Sequence, residues 1–174
     1  VTIHIDKKYV VGATGQLQNM DEIGYGYGKV KSKEKKGKIT YKFLAENVHD
    51  FAWGADPDYT HETYQIMDGP LLHFLYQPGE KTTENWQNLP KAMASAYKWM
   101  SARYGKYPYD NYYFVQGGDG GMEYPQLTLI TGERSYSSLV GVSIHEWMHS
   151  WYQMVLATNE SLYPWMDEGF TSFG

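Results

Sequence analysis

The sequence predicts an α+β fold in which strands come first and helices enter in the second half. Near the amino terminus, apolar residues alternate with polar ones, which is typical of a strand with one buried face. From about residue 84, apolar residues instead recur at spacings of three and four, which is typical of a helix with one buried face. Strands and helices do not alternate strictly, and this argues against a doubly wound parallel sheet.

Six segments are predicted as strands, because alternating patterns or short apolar runs are bounded by turn residues. They are residues 1–6, 39–43, 50–53, 71–76, 112–115 and 127–130. Between the first two lies the basic stretch 29–38, which we expect to be a solvated hairpin tip.

The first predicted helix covers the apolar positions from Leu89 to Tyr104, and Gly105 follows where a C-terminal cap glycine belongs. Pro90 must lie in its first turn, or else mark a kink in a helix that begins earlier. A third helix is expected to begin near Pro164, because proline suits the first helical position.

The second predicted helix runs from about Leu139 to Leu156. Ser137 or Ser138 is its expected cap, since a serine hydroxyl can accept a hydrogen bond from the free N–H groups of the first turn.

Composition excludes several classes of function. The chain has no cysteine, so any metal must be held by His, Asp or Glu. Its net charge of −5 argues against a nucleic-acid partner or an anionic membrane. No run of about 18 apolar residues is present, so no membrane span is expected. The first residues resemble a strand and not a signal peptide, and the compartment is left open.

An H-E-x-x-H motif, His145-Glu146-Trp147-Met148-His149, lies within the second predicted helix. Histidines four apart project from one helix face and can bind one zinc ion through their imidazole nitrogens. Glu146 lies one step round the helix, where it can act as the general base toward a water activated by the metal. The alternative is two ordinary helix histidines beside a surface glutamate, because so short a pattern also arises by chance.

A third ligand is predicted at Glu168, nineteen positions after His149 and on the following helix. A carboxylate there can fold back and complete a His2Glu set with an open fourth position, which predicts one Zn2+ per chain. The other histidines are expected to be structural or surface residues: His4, His49, His61 and His73.

A glycine-rich loop precedes the last predicted strand. Gly120, Gly121 and Met122 would let a substrate backbone approach the protein backbone, and Glu123 would pair with the cationic amine of a free peptide N-terminus. A plain hairpin loop with a solvated glutamate is the alternative.

The zinc motif, the downstream glutamate and the upstream G-x-M-E loop stand in the order and at the distances seen in M1 zinc aminopeptidases. The chain resembles this gluzincin family, which includes aminopeptidase N and leukotriene A4 hydrolase. The resemblance implies the C-terminal part of a β-rich N-terminal domain over residues 1–67. It also implies the N-terminal part of a thermolysin-like catalytic domain over residues 68–174. By that resemblance, Glu123 would grip the substrate amine, while the backbone of Gly120 and Gly121 would line the path of the peptide.

The resemblance implies a zinc aminopeptidase that removes N-terminal residues from peptides. Tyr124 and Asp167 stand where the family most often has Asn, and Gln153-Met154 replaces a Gly-Asn pair. None of these departures touches a predicted ligand or the base. The family's oxyanion-stabilising tyrosine would lie beyond Gly174, so we expect a fragment that is inactive alone and that can self-associate through exposed apolar surface.

Two other functions are left open. A thermolysin-like endopeptidase would share the zinc motif and the fold, although the Gly120–Glu123 loop argues against it. A non-catalytic peptide-binding fragment would keep the fold without the reaction.

Overall fold

The computed structural model describes residues 1–28 and 37–174, so the predicted basic hairpin tip lies almost entirely outside the described residues. The strands are β1 Thr2–Asp6, β2 Val10–Ala13, β3 Gln16–Leu17, β4 Lys38–Leu44, β5 Trp53–Asp56, β6 Thr60–Gln65, β7 Leu71–Tyr76, β8 Asn111–Gly117, β9 Gly121–Tyr124 and β10 Leu127–Thr131. The helices are α1 Met20–Ile23, α2 Thr83–Tyr104, α3 Tyr136–His149, α4 Gln153–Leu156, a π-helical turn at Trp165–Gly169, and α5 Phe170–Phe173. The predicted α+β class is confirmed. Within the described ranges, no helix combines the length and the apolar character needed to cross a membrane.

A mixed five-stranded sheet organises the chain, with strand order β6-β7-β8-β10-β9. Its three inner strands are parallel, and both edge strands are antiparallel to their neighbours. The amino-terminal residues add the small sheet β1-β4-β3 and the pair β2-β5. Strand β6 belongs to the central sheet although it precedes residue 68, and the domain boundary there stays a prediction.

Both faces of the central sheet are covered. Along β7, Leu72 and Phe74 face the core that α2 and α3 complete, whereas Leu75 faces the core formed by the amino-terminal strands. Because side chains alternate between the faces of a strand, a strand that is buried on both sides must be apolar throughout. This explains why β7 and β8 are nearly continuous apolar runs rather than alternating ones.

Helix α2 begins at Thr83, so Pro90 lies buried in its interior and not in its first turn. Gly105 follows the helix with φ of +88°, a conformation that glycine adopts without strain. The predicted C-terminal cap position is therefore confirmed. The strand predicted at residues 50–53 is wrong, since β5 begins only at Trp53.

The predicted bounds of α3 are wrong at both ends. Ser135 is the cap residue, and its hydroxyl accepts from the backbone N–H of Ser138. The helix ends at His149 because its last turn tightens: the N–H groups of Ser150 and Trp151 each donate over 3.0 Å to the carbonyl three residues back. Residues 153–156 then form the separate short helix α4.

Candidate metal centre

Helix α3 carries the predicted histidine pair on the side opposite Trp147. Trp147 is fully buried against α2 and the sheet, which fixes the rotation of the helix. His145 and His149 therefore meet on the other side, where their Nε2 atoms lie 3.2 Å apart. His149 is fully buried, whereas His145 is partly exposed.

The π-helical turn brings Glu168 to the same point. Its Oε2 atom lies 3.2 Å from His145 Nε2 and 3.7 Å from His149 Nε2. Ligands placed tetrahedrally at about 2.0–2.1 Å from one zinc ion are about 3.3 Å from each other. The triangle of these three atoms has nearly that size, so the three predicted ligands fit one zinc ion. The Glu168 side chain is 59% exposed, which leaves this side of the site open to solvent.

A second carboxylate, that of Asp167, contacts the Nδ1 side of the buried His149 ring. Asp167 Oδ1 lies 2.5 Å from His149 Nδ1, and the hydroxyl of Thr171 lies 3.3 Å from the same nitrogen. Burial raises the pKa of Asp167 to about 6. Sequence reasoning missed this contact, although Asp167 had been noted as a departure beside Glu168.

Glu146 is buried next to the ligands and does not belong to the ligand triangle. It is 5% exposed, and its Oε2 atom has no hydrogen-bond partner among the described residues. Burial, reinforced by the nearby Glu123 carboxylate, raises the pKa of Glu146 to about 8. A carboxyl with such a pKa can take up and release a proton near neutral pH.

The glycine-rich segment is an edge strand and not a plain loop. Strand β9 pairs only with β10 within the described sheet, and it packs on its inner face against α3. Glu123 is 9% exposed, and one of its carboxylate oxygens lies within 4.8 Å of ligand atoms of Glu146 and His149. Burial raises the pKa of Glu123, and the neighbouring His149 opposes that shift.

Arg134 holds the start of this edge strand, and sequence reasoning missed it as well. Its guanidinium donates to the carbonyl of Gly120 and, over 3.0 Å, to the hydroxyl of Ser138 on α3. Gly120 and Gly121 are thereby fixed beside the helix that carries the histidines, and Met122 is held by the Thr128 hydroxyl, which donates to its carbonyl over 3.0 Å.

Comparison with known proteins found no matching family model and no matching curated sequence. Solved structures do match. The M1 zinc metallopeptidase from Deinococcus radiodurans has a TM-score of 0.65 and 17% identity over 99% of this chain. A variant of the M1 zinc metallopeptidase from that organism, bound to a Tyr-Ser-Ala substrate, gives 0.65 and 18% over the same share.

A two-domain M1 zinc metallopeptidase variant bound to L-tryptophan gives a TM-score of 0.68 and 16% identity over 99% of this chain. This chain spans 38% of the length of each of these structures. Its fold is that of the corresponding part of an M1 zinc metallopeptidase.

Proposed function

We propose that this chain forms the zinc site and the amine-binding strand of an aminopeptidase, which hydrolyses N-terminal residues from peptides. The observation that carries the proposal is the close grouping of three different parts. These are a ligand triangle of zinc size, a buried carboxylate with an unpaired oxygen, and a further carboxylate on an edge strand.

His145, His149 and Glu168 would hold the ion. When bound, zinc polarises a carbonyl group and lowers the pKa of a water molecule. Glu146 then serves as the general base that accepts the proton of the attacking water, and afterwards as the acid that gives it to the leaving amine. Burial raises the pKa of Glu146, and a carboxylate with a raised pKa holds an accepted proton more firmly until it is passed on.

The edge strand supplies the binding of a peptide main chain. The outer side of β9 has no partner strand in the described part of the sheet, so an extended substrate can add to it as a further strand. Its register on β10 places Gly121 opposite Ile130 and Glu123 opposite Thr128. A substrate on this edge would therefore run past both residues and the ligand triangle.

Glu123 supports the proposed preference for a free N-terminus. Its carboxylate forms no ion pair with a described lysine or arginine, although it is largely removed from water. A buried carboxylate is costly unless a cation pairs with it, and the α-ammonium of a peptide is such a cation. The solved structure bound to Tyr-Ser-Ala supports a short peptide as the ligand of this fold.

The test compares a tripeptide that has a free N-terminus with its N-acetylated form. Zinc-loaded protein is assayed by mass spectrometry, both as this 174-residue chain and as the complete product of its gene. We expect the complete product to release the first residue of the free peptide only. A Glu123→Gln variant should lose at least about tenfold in kcat/KM, since a neutral amide pairs less strongly with the ammonium.

Internal cleavage of the acetylated peptide would instead indicate a thermolysin-like endopeptidase. Binding of both peptides by the zinc-loaded complete product without cleavage would indicate a non-catalytic peptide-binding protein.

A further inference from the structure

We infer that Asp167 is a positioning residue for the metal, which holds His149 in the one neutral tautomer that can ligate through Nε2. The inference rests on the proposed zinc site, and it concerns a residue outside the ligand set and outside the proton transfer.

The tautomer follows from hydrogen-bonding capacity. A neutral imidazole that ligates through Nε2 must carry its proton on Nδ1, and Asp167 Oδ1, which lies 2.5 Å from that nitrogen, is placed to accept a hydrogen bond from it. In a neutral imidazole, Nε2 then carries a free lone pair. That Nε2 atom is the one that faces His145 Nε2 at 3.2 Å and Glu168 Oε2 at 3.7 Å. The ring is therefore set for metal binding before any ion arrives.

The two carboxylates that act on His149 are consecutive in the sequence. Glu168 approaches the Nε2 side of the ring and Asp167 the Nδ1 side, and both belong to the π-helical turn Trp165–Gly169. Asp167 is 4% exposed and His149 is fully buried, so water competes little for this hydrogen bond. Ligand and positioning residue thus belong to one turn.

His145 has no equivalent support. Its hydrogen bonds to the described residues all involve Nε2, and its side chain is 33% exposed. Only one of the three ligands, His149, is therefore preorganised. Removing the Asp167 side chain should weaken zinc binding without abolishing it. The loss of such outer hydrogen-bond partners typically reduces metal affinity 10–100-fold.

The test measures the zinc dissociation constant by competition with a chelating fluorescent indicator. Asp167→Ala should weaken zinc binding about 10–100-fold, and Asp167→Asn should weaken it less, because an amide oxygen still accepts from Nδ1. Asp58→Ala, which removes an exposed aspartate outside the site, is the matched control and should not change the constant. Thermal unfolding of the zinc-free variants shows that each one is folded.

Long-range ¹⁵N–¹H NMR spectra of the zinc-free protein give a second readout, independent of metal. We expect His149 to be the Nδ1–H tautomer in the unmodified chain and a mixture in Asp167→Ala. An Nε2–H tautomer in the unmodified chain, or an affinity in Asp167→Ala within twofold of the original, overturns the inference. If the unmodified chain and the complete gene product both bind no zinc, the proposed function fails instead, while the tautomer measurement still decides on Asp167.

Discussion

The backbone of Gly121 lies directly against the carboxylate of Glu146. A Cβ atom at position 121 would overlap Glu146 Oε1 and would come within 2.8 Å of Val142 Cγ2. At Gly118, in contrast, an added Cβ would meet no atom within 4 Å. The close approach of β9 to α3 therefore depends on glycine at position 121 and not on glycine at position 118.

Gly121→Ala should displace either the edge strand or the Glu146 side chain, because the two cannot both keep their places. Since small misplacements of reacting groups can lower rates about 100-fold, we expect a fall in kcat/KM of that order with zinc content unchanged. Steady-state kinetics of the complete gene product check this, with Gly118→Ala as the control. Equal activities of the two variants would show that the packing at Gly121 does not matter for the reaction.

Glu146→Gln should keep the metal and lose the reaction. The amide is nearly the same size but accepts no proton, so kcat should fall about 100- to 10,000-fold. Glu133→Gln, which changes an exposed carboxylate that pairs with Lys81, should leave kcat unaltered. Zinc content by mass spectrometry accompanies both assays. Near-normal turnover by Glu146→Gln would remove Glu146 from the role of base.

Glu168→Gln should weaken zinc binding, because an amide is a poorer ligand than a carboxylate. Removing zinc with a chelator should lower the Tm of the unmodified chain, since a ligand at 100 times its Kd stabilises by about 2.7 kcal/mol. In Glu168→Gln the chelator should have a smaller effect. An identical Tm shift in the variant would mean that Glu168 is not a ligand.

A histidine pair on the opposite face of the sheet should make the fold sensitive to acid. His61 Nδ1 lies 2.7 Å from the carbonyl of Tyr25, and His61 Nε2 lies 2.9 Å from His73 Nδ1. The His73 ring stacks on Tyr113 with ring centroids 4.1 Å apart. Burial lowers the pKa of His61 to about 4, and burial together with His61 lowers the pKa of His73 well below its usual range.

Between about pH 6.5 and 4 the unfolded chain therefore binds more protons than the folded one, and stability must fall as the pH falls. For His61 alone the full effect is roughly 3 kcal/mol. Urea unfolding at several pH values should show this fall in the free energy of unfolding. The fall should be smaller in His61→Gln than in His49→Gln, which changes an exposed histidine. The same pH dependence in both variants would contradict this account.

The zinc motif was accessible from sequence because its geometry is local. Residues four apart on a helix share a face whatever surrounds them, so the meeting of His145 and His149 needed only a helix. The position of Glu168 needed more, namely a following helix that folds back, and its place nineteen residues after His149 predicted it.

The misses have different physical causes. Strand β9 exists because it pairs with β10 and packs on α3, which four residues beginning with glycine do not reveal. After α3 ends, the indole N–H of Trp151 donates to the carbonyl of Gly105, a residue 46 positions earlier. The cap of α3 was misassigned because three serines lie within four residues, and only the backbone geometry selects Ser135.

Apolar surface was expected, and the last segment of the chain does expose large apolar side chains. Leu162 is 67% exposed, Trp165 is 62% exposed and Phe173 is 91% exposed. Self-association through this surface stays a prediction, which light scattering over a range of concentrations can examine.

Trp147 gives helix α3 an optical signature. Its indole ring has five aromatic neighbours with centroids between 5.4 and 6.0 Å away: Tyr97, Tyr107, Tyr112, Phe114 and Trp151. Coupled transitions in so dense and asymmetric a cluster should give strong near-ultraviolet circular dichroism. His145, Glu146 and His149 lie within one turn of Trp147 on α3. That spectrum should therefore report, without any label, whether the helix face that carries these three residues is correctly packed.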